Sequence, residues 1–218
     1  MSRDRLTLEQ LKAVTATTGS WTRVEGTEIM MTIPNMLTLL RVALIPFLVL
    51  ALALKTESSH WIGFWIFVAA SCTDYLDGKL ARSLSQISPF GKFFDPVADK
   101  LLVAASILML AALGRLPDLH IIPGLVILCR EIFVSGLREF LAQINVTMPV
   151  SPLGKVKTAF QFGALAVLIL NPEQTFEKIP YLQGLGFMML WAAAILTLIS
   201  GYDYLRTGIV YLMREENK

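Results

Sequence analysis

Charged residues are scarce in this chain. Lys, Arg, Asp and Glu make up 17% of its 218 residues, and the formal net charge is only +2. The cations are scattered among hydrophobic runs, so the sequence offers no basic face of the kind that nucleic acid requires. We therefore expect no nucleic-acid partner.

Cysteine is rarer still, with two residues in the chain. Cys72 and Cys129 fall in apolar stretches, where a free cysteine is usually a small buried hydrophobe rather than a redox or metal-binding group. The sequence also lacks a glycine-rich phosphate loop followed by Lys and Ser or Thr. These absences argue against thiol chemistry and against a P-loop nucleotide site.

Apolar residues dominate instead, at 55% of the chain with a mean hydropathy of +0.60. Such values are typical of integral membrane proteins, and a helix needs about 20 mostly apolar residues to cross a bilayer. We predict an all-α integral membrane protein, with no room for a separate soluble catalytic domain. Six segments fit transmembrane helices: Met36–Leu54, Trp61–Leu80, Pro96–Leu113, Ile121–Leu141, Leu153–Leu170 and Leu182–Leu205.

The cations near the ends of these segments predict the orientation. Lys55, Arg115 and Lys178 flank one side of the membrane, where the short loops with His60 and His120 also fall. A larger group flanks the other side, which the positive-inside rule makes cytoplasmic. Six spans then place both termini in the cytoplasm. The larger group consists of Lys79, Arg82, Lys92, Lys100, Arg138, Lys155 and Lys157.

The first 30 residues differ from the rest of the chain. They are polar, rich in Thr, and lack the apolar run of about 7–15 residues that a signal peptide needs. A capping box from Thr7 to Gln10 could begin a short surface helix, but the composition favours a disordered tail. Alternatively, translation starts naturally at Met30 or Met31. We expect residues 31–218 to form the six-helix membrane domain.

Four aspartates stand out against this apolar background. Asp74 and Asp77 are three residues apart at the end of the second span, and Asp95 and Asp99 are four apart at the start of the third. Either spacing puts both members of the pair on one helix face. Carboxylates in a membrane are costly and mark functional sites. Four that converge from two helices would suit Mg²⁺ or Mn²⁺ rather than Zn²⁺.

Two structural alternatives remain open for these acids. Asp95 could simply N-cap a helix that begins at Pro96, and the other three could be solvated at the membrane interface. Gly78 and Gly91 favour a binding site, because small residues let helices approach closely and leave room for a bulky ligand.

The full pattern reads Asp74-x-x-Asp77-Gly78-x-x-Ala81-Arg82, then eight residues, then Gly91-x-x-x-Asp95-x-x-x-Asp99. It resembles the signature of the CDP-alcohol phosphotransferase family at every defined position. The resemblance implies a six-helix membrane enzyme, usually a homodimer, that transfers a substituted phosphoryl group from a CDP-linked donor to an alcohol and releases CMP. It also implies two divalent metal ions, which would neutralise the pyrophosphate and stabilise an in-line displacement. Their ligands would be Asp74, Asp77, Asp95 and Asp99, with Asp99 also the general base.

The same resemblance implies where the donor binds. The family contacts cytidine and phosphate through residues of its signature, and a second element near the nucleotide has the form Asn-x-x-Thr-x-x-Arg. In the first span, a spacing of three residues puts that element on one helix face. Arg82 could instead be an interfacial anchor. The matching positions are Gly78, Arg82 and Ser88 in the first set and Asn35, Thr38 and Arg41 in the second.

Further cations follow in the fourth and fifth segments. Arg130, Arg138, Lys155 and Lys157 lie where a cation needs an anionic partner. Arginine forks bind phosphate through two hydrogen bonds and lysine adds a point charge, so these side chains could form a pocket for a phosphorylated acceptor. Ordinary ion pairs with Glu131 and Glu139 are the structural alternative.

The residues around these cations, and the opening of the first span from Ile33 to Arg41, resemble one bacterial branch of the family. That branch transfers phosphatidyl from CDP-diacylglycerol to glycerol 3-phosphate, whose phosphate is held by the cations matching Arg130, Arg138 and Lys155. The resemblance implies phospholipid synthesis at the bacterial inner membrane, with the active site facing the cytoplasm and the acyl chains in membrane lipid. A sibling transferase using inositol phosphate or another acceptor, and a divalent-cation transporter, remain the alternatives.

Overall fold

The computed structural model divides the chain into two units at Thr32 and Ile33. All residues that the structure describes belong to the second unit, and they are residues 33–83, 89–143, 152–170 and 181–215. Only the backbone, and not the side chain, is described at positions 33–34, 74–83, 89–90, 92, 152, 203, 207 and 209–215.

The described ranges are almost entirely helical, and they contain no β-strand. Short turns connect the helices where the connection is described. The elements are α1 (Ile33–Ala53), α2 (Glu57–Ser83), α3 (Pro89–Ala112), a 3-10 turn (Asp118–His120), α4 (Ile121–Gln143), α5 (Pro152–Leu170) and α6 (Tyr181–Glu215).

Four of these helices are long and apolar enough to cross a membrane. They are α1, α4 with the preceding 3-10 turn, α5 and α6, over Asn35–Ala53, Asp118–Gln143, Leu153–Leu170 and Tyr181–Arg206. The prediction of an all-α fold is therefore confirmed for the described residues, and four of the six predicted spans are candidate membrane helices. α2 and α3, which carry the aspartate motif, are not among the four.

The helices pack around one apolar core. α1 contacts α2 and α3, α6 contacts α4 and α5, and α2 contacts α5. Large apolar side chains also cover the outward faces: Trp65, Ile132 and Met188 are each more than 60% exposed. Such faces suit lipid, which is as apolar as a protein interior. The core includes Leu48, Leu52, Phe67, Leu102, Leu110, Ile127, Leu165, Leu168 and Leu190.

Local sequence explains how two helix ends form. At the start of α2, the backbone N–H of Thr56 donates to the Ser59 hydroxyl (2.9 Å) and that of Ser59 donates to the Thr56 hydroxyl (3.2 Å), as in a capping box. At the end of α3, Gly114 has φ +69°, and Arg115 N–H donates to Leu110 O at 2.9 Å. This glycine-terminated cap turns Arg115 into the protein, where it is 8% exposed.

Two sequence interpretations are corrected by the fold. α3 begins at Pro89 and continues through Pro96, so Asp95 lies inside the helix and the interpretation of Asp95 as an N-cap is wrong. Cys72 and Cys129 are exposed, not buried. An apolar stretch in a membrane helix has one side toward lipid, so its residues need not face the core.

Candidate active site

The aspartate motif is divided between α2 and α3. Positions 74 and 77, like Gly78 and Arg82, lie in the last turns of α2, where only the backbone is described, and Ser88 lies outside the described residues. Asp95 and Asp99 are one turn apart on α3, and both are half-buried. Among the described side chains no group of three potential metal ligands occurs, since half of the predicted set lies at backbone-only positions.

The polar face of α1 reaches Asp95 through Thr38. Asn35, Thr38 and Arg41 are 4%, 0% and 0% exposed, although they belong to an otherwise apolar helix. The hydroxyl of Thr38 donates to Oδ1 of Asp95 at 2.5 Å. The predicted Asn-x-x-Thr-x-x-Arg face is thus brought to the aspartate motif, and Thr38 fixes one carboxylate.

Asp99 lines a small cavity of about 120 Å³ between α3, α4 and α5. Its polar wall includes Glu131, Lys157, Thr158 and Gln161. The remaining lining residues are Lys100 and apolar side chains such as Val103 and Phe162. A carboxylate placed in this way can accept a proton from a bound hydroxyl, provided that the substrate brings it within hydrogen-bond reach.

A larger cavity of about 590 Å³ lies beside it, between α4, α5 and α6. Arg130, Arg138 and Lys155 all line this basic cavity, so the structure brings the three predicted acceptor residues together. Lys157 adds a fourth cation, and among the described lining residues Glu131 is the one carboxylate. The excess of positive charge favours a phosphate-bearing ligand.

Arg130 is held by further contacts besides an ion pair. One guanidinium nitrogen donates to the Ser200 hydroxyl at 3.0 Å, and the guanidinium lies 5.6 Å from the centre of the Tyr204 ring. Its distance to Glu131 is 3.6 Å, and Arg138 makes no salt bridge to any residue that the structure describes. The ion-pair alternative thus holds for Arg130, which pairs with Glu131, and not for Arg138 among the described residues.

Lys157 was predicted as one of the cations near the acceptor pocket but not among the three that hold the phosphate, and Glu131 only as an ion-pair partner. Lys157 is 5% exposed, and its ammonium contacts Oε1 of Glu131. The helical periodicity indicates that Lys157 is buried, because it shares one face of α5 with positions 161, 164, 165 and 168. Lys155, two positions earlier, projects to a different face and is exposed.

An apolar cavity of about 620 Å³ lies on the other side of Arg130, between α4 and α6. Among the described side chains that line it, Arg130 alone is charged; the others include Cys129, Phe133, Leu198 and Tyr202. Gly201 faces the stem of Arg130: a Cβ there would lie 3.2 Å from Cγ and 3.3 Å from Nε. The absence of a side chain at position 201 thus leaves Arg130 its place between the two cavities without a close contact.

The sequence comparison decides the family. The profile of the CDP-alcohol phosphatidyltransferases matches residues 31–199. The chain belongs to the CDP-alcohol phosphatidyltransferase family. Two relatives named CDP-diacylglycerol–glycerol-3-phosphate 3-phosphatidyltransferase are similar to it over most of their length. The protein from Rickettsia felis is 45% identical over 174 residues, 80% of this chain and 93% of the relative. That from Pectobacterium atrosepticum is 42% identical over 178 residues, 81% and 94% respectively.

As a CDP-alcohol phosphatidyltransferase, the protein belongs to a family that generally uses divalent metal ions. The donor set fits that requirement, because Asp95 and Asp99 offer hard oxygen ligands on one face of α3. The carboxylate of Asp95 is further oriented by Thr38, as metal-binding carboxylates commonly are by outer-shell hydrogen bonds.

Proposed function

We propose that this protein transfers the phosphatidyl group of CDP-diacylglycerol to glycerol 3-phosphate, forming phosphatidylglycerophosphate and CMP. Membership of the family supports the CDP-linked donor, and the names of the relatives support both substrates. The structural observation that carries the proposal is the basic cavity beside Asp99. It offers a phosphorylated alcohol a cationic site next to a carboxylate base.

The bond changes follow from this placement. The hydroxyl oxygen of glycerol 3-phosphate attacks the phosphorus that carries diacylglycerol, and the bond from that phosphorus to the CMP oxygen breaks. The hydroxyl proton passes to the carboxylate of Asp99. Divalent ions, when bound, neutralise the pyrophosphate and the departing CMP. Arg130, Arg138 and Lys155 hold the acceptor phosphate, so the attack becomes effectively intramolecular.

The remaining assignments belong to the same proposal. Two ions, Mg²⁺ or Mn²⁺, are held by Asp74, Asp77, Asp95 and Asp99. The donor nucleotide lies along α1 and the end of α2. The basic side chains of the motif contact it there, and the small residues of the motif leave room for it. Its contacts are Gly78, Arg82, Ser88, Asn35, Thr38 and Arg41.

The membrane arrangement is also proposed. α2 and α3 complete six spans, both termini and the active site face the cytoplasm of a bacterial inner membrane, and the enzyme is a homodimer. Residues 31–218 form the transferase domain, and residues 1–30 form a tail outside it. The family profile supports this division, because its match begins at residue 31.

A transferase with another phosphorylated acceptor, such as inositol phosphate, would also use the basic cavity. A cation transporter would not, because four cations beside Asp99 would repel the transported ion. The choice of acceptor is therefore tested directly.

The test is CMP release by the purified protein in detergent with CDP-diacylglycerol and Mg²⁺ or Mn²⁺. Glycerol 3-phosphate, inositol phosphate and serine are supplied separately. We expect release with glycerol 3-phosphate, its loss on metal chelation and its loss in Asp99→Asn. Asp118→Asn is the matched control, since Asp118 is exposed in the 3-10 turn. Release with inositol phosphate but not with glycerol 3-phosphate would mean that inositol phosphate is the acceptor. Full activity of Asp99→Asn would refute the role of Asp99 as base.

A further inference from the structure

The Asp99 cavity and the basic cavity share a wall. Glu131, Lys157 and Thr158 line both of them. The acceptor phosphate lies among the cations and the attacking hydroxyl reaches Asp99. The acceptor must therefore extend along this shared wall. This inference rests on the proposed function, because it takes the acceptor to be glycerol 3-phosphate.

The charged pair in the wall is placed to contact the acceptor. Lys157 is buried and contacts Oε1 of Glu131, and a guanidinium nitrogen of Arg130 lies 3.6 Å from the same oxygen. The side chain of Glu131 nevertheless keeps 22% of its surface accessible. A carboxylate has about four lone-pair sites, so Glu131 can accept a further hydrogen bond from a ligand in either cavity.

Stability alone gives little reason for such a pair. A buried ion pair is often no more stabilising than well-packed apolar residues of similar volume, because desolvation offsets the attraction. Lys157 restrains the Glu131 carboxylate, and Glu131 keeps that lysine from being an uncompensated buried charge. The arrangement therefore suits recognition of a polar group between the two cavities.

Glycerol 3-phosphate carries such a group. Its attacking hydroxyl and its phosphate are on the two end carbons, and a second hydroxyl is on the carbon between them. With the phosphate in the basic cavity and the attacking hydroxyl beside Asp99, the central hydroxyl comes to the shared wall. We propose that Glu131, positioned by Lys157, accepts a hydrogen bond from this hydroxyl and makes the enzyme specific for a phosphorylated polyol that carries it.

The proposal predicts a measurable discrimination. Hydrogen bonds to charged groups are worth enough to change kcat/KM by about tenfold to a hundredfold, and a site built for a hydroxyl rejects the analogue that lacks it. The suitable analogue is 3-hydroxypropyl phosphate, which keeps the attacking hydroxyl and the phosphate and lacks the central hydroxyl.

The experiment compares kcat/KM for CMP release with the two acceptors in four proteins. We expect the wild type to prefer glycerol 3-phosphate by about tenfold or more, Glu131→Gln to lose part of the preference, and the double variant Glu131→Leu, Lys157→Met to lose it. The double variant removes both members of the Glu131–Lys157 pair, so neither is left as an uncompensated buried charge. Glu139→Gln is the control, since Glu139 is exposed on the same helix and should keep the wild-type ratio.

Because the readout is a ratio of acceptors, a general loss of activity or stability does not imitate the expected result. Where turnover is too slow, the affinities of the two acceptors measured by calorimetry on the same variants supply the ratio. Equal use of both acceptors by the wild type, or an unchanged ratio in both Glu131 variants, would overturn this inference alone. Failure of the wild type to release CMP with glycerol 3-phosphate would overturn the proposed function and this inference with it.

Discussion

At the scale of single residues, the contact between Thr38 and Asp95 connects the polar face of α1 to the aspartate motif. Replacing Thr38 by Val keeps the shape of the side chain and removes the donor. Loss of a hydrogen bond that orients a metal-binding carboxylate typically costs about 10- to 100-fold in metal affinity or activity. We therefore expect Thr38→Val to need more Mg²⁺ or Mn²⁺ for half-maximal CMP release.

Thr38→Ser is the matched variant, because it restores the hydroxyl and should restore the metal dependence. An unchanged metal requirement in Thr38→Val would show that the Thr38 hydroxyl does not support the metal site. A loss of activity that added metal does not relieve would assign Thr38 to nucleotide binding instead.

Gly201 provides a second test at this scale. A methyl group at position 201 would lie 3.2 Å from Cγ of Arg130, so the arginine must shift by a few tenths of an ångström. A displaced guanidinium fits the acceptor phosphate less well, and we expect Gly201→Ala to raise the KM for the acceptor several-fold. Gly184→Ala on the same helix is the control, since nothing lies within 4 Å of its added Cβ. An unchanged KM in Gly201→Ala would contradict the placement of Arg130 at the acceptor.

Sequence reasoning at the residue scale was most successful where motifs carried the signal. The assembly of Arg130, Arg138 and Lys155 around one cavity follows from patterns in the chain, whereas the contact of Thr38 with Asp95 was not predicted. The roles of these residues stay predictions. The Glu131–Lys157 contact joins positions 26 apart on different helices, and a single sequence contains no direct record of such a contact.

At the scale of elements, the end of α5 is joined to the start of α2 by a buried cluster. The guanidinium of Arg115 donates to Ile169 O at 2.7 Å and contacts Nε2 of His60, which is 1% exposed. Burial, and then the positive charge of Arg115, lower the pKa of His60 from its ordinary value. The imidazole is therefore neutral at neutral pH, and it accepts from Arg115.

This cluster predicts a stability that depends on pH. The unfolded chain takes up the His60 proton below about pH 6.5, whereas the folded protein resists it. Stability should thus be complete above about pH 6.5 and fall as the pH decreases toward the lower folded pKa. Thermal unfolding in detergent between about pH 7 and pH 5 measures this.

His60→Gln tests the assignment of that pH dependence to His60. Glutamine keeps an acceptor for Arg115 and does not titrate, so the decrease in melting temperature on acidification should become smaller. His120→Gln is the comparison, because Nδ1 of His120 accepts from the Trp191 indole at 3.2 Å rather than facing a guanidinium. An equal pH dependence in the wild type and His60→Gln would contradict the assignment.

Helix existence was easier to predict than helix ends. Each predicted span lies on one observed helix, because apolar length identifies a membrane helix. The start of α3 was placed at Pro96 because proline favours the first turn, yet the helix begins at Pro89. The contacts of α3 with α1 and α2 stabilise the helix although Pro96 lacks an N–H. No local feature of the sequence indicates such contacts.

At the scale of the whole molecule, the proposed topology predicts the sidedness of the two ends of α4. Leu119 precedes α4 and Gln143 ends it, and both are exposed. In a variant lacking Cys72 and Cys129, we expect Leu119→Cys to react with a membrane-impermeant thiol reagent on intact cells. Gln143→Cys should react only after the membrane is opened. The reverse pattern would place the active site outside the cytoplasm.

The central claim concerns transfer between two substrates rather than hydrolysis of one. Its most direct measurement follows radiolabelled glycerol 3-phosphate into chloroform-soluble lipid while CMP is counted in the same reaction with CDP-diacylglycerol and divalent metal. We predict one labelled lipid for each CMP, with both signals absent in Asp99→Asn. CMP release without label in the lipid fraction would mean that water or another alcohol is the acceptor, and would contradict the assignment of the basic cavity to glycerol 3-phosphate.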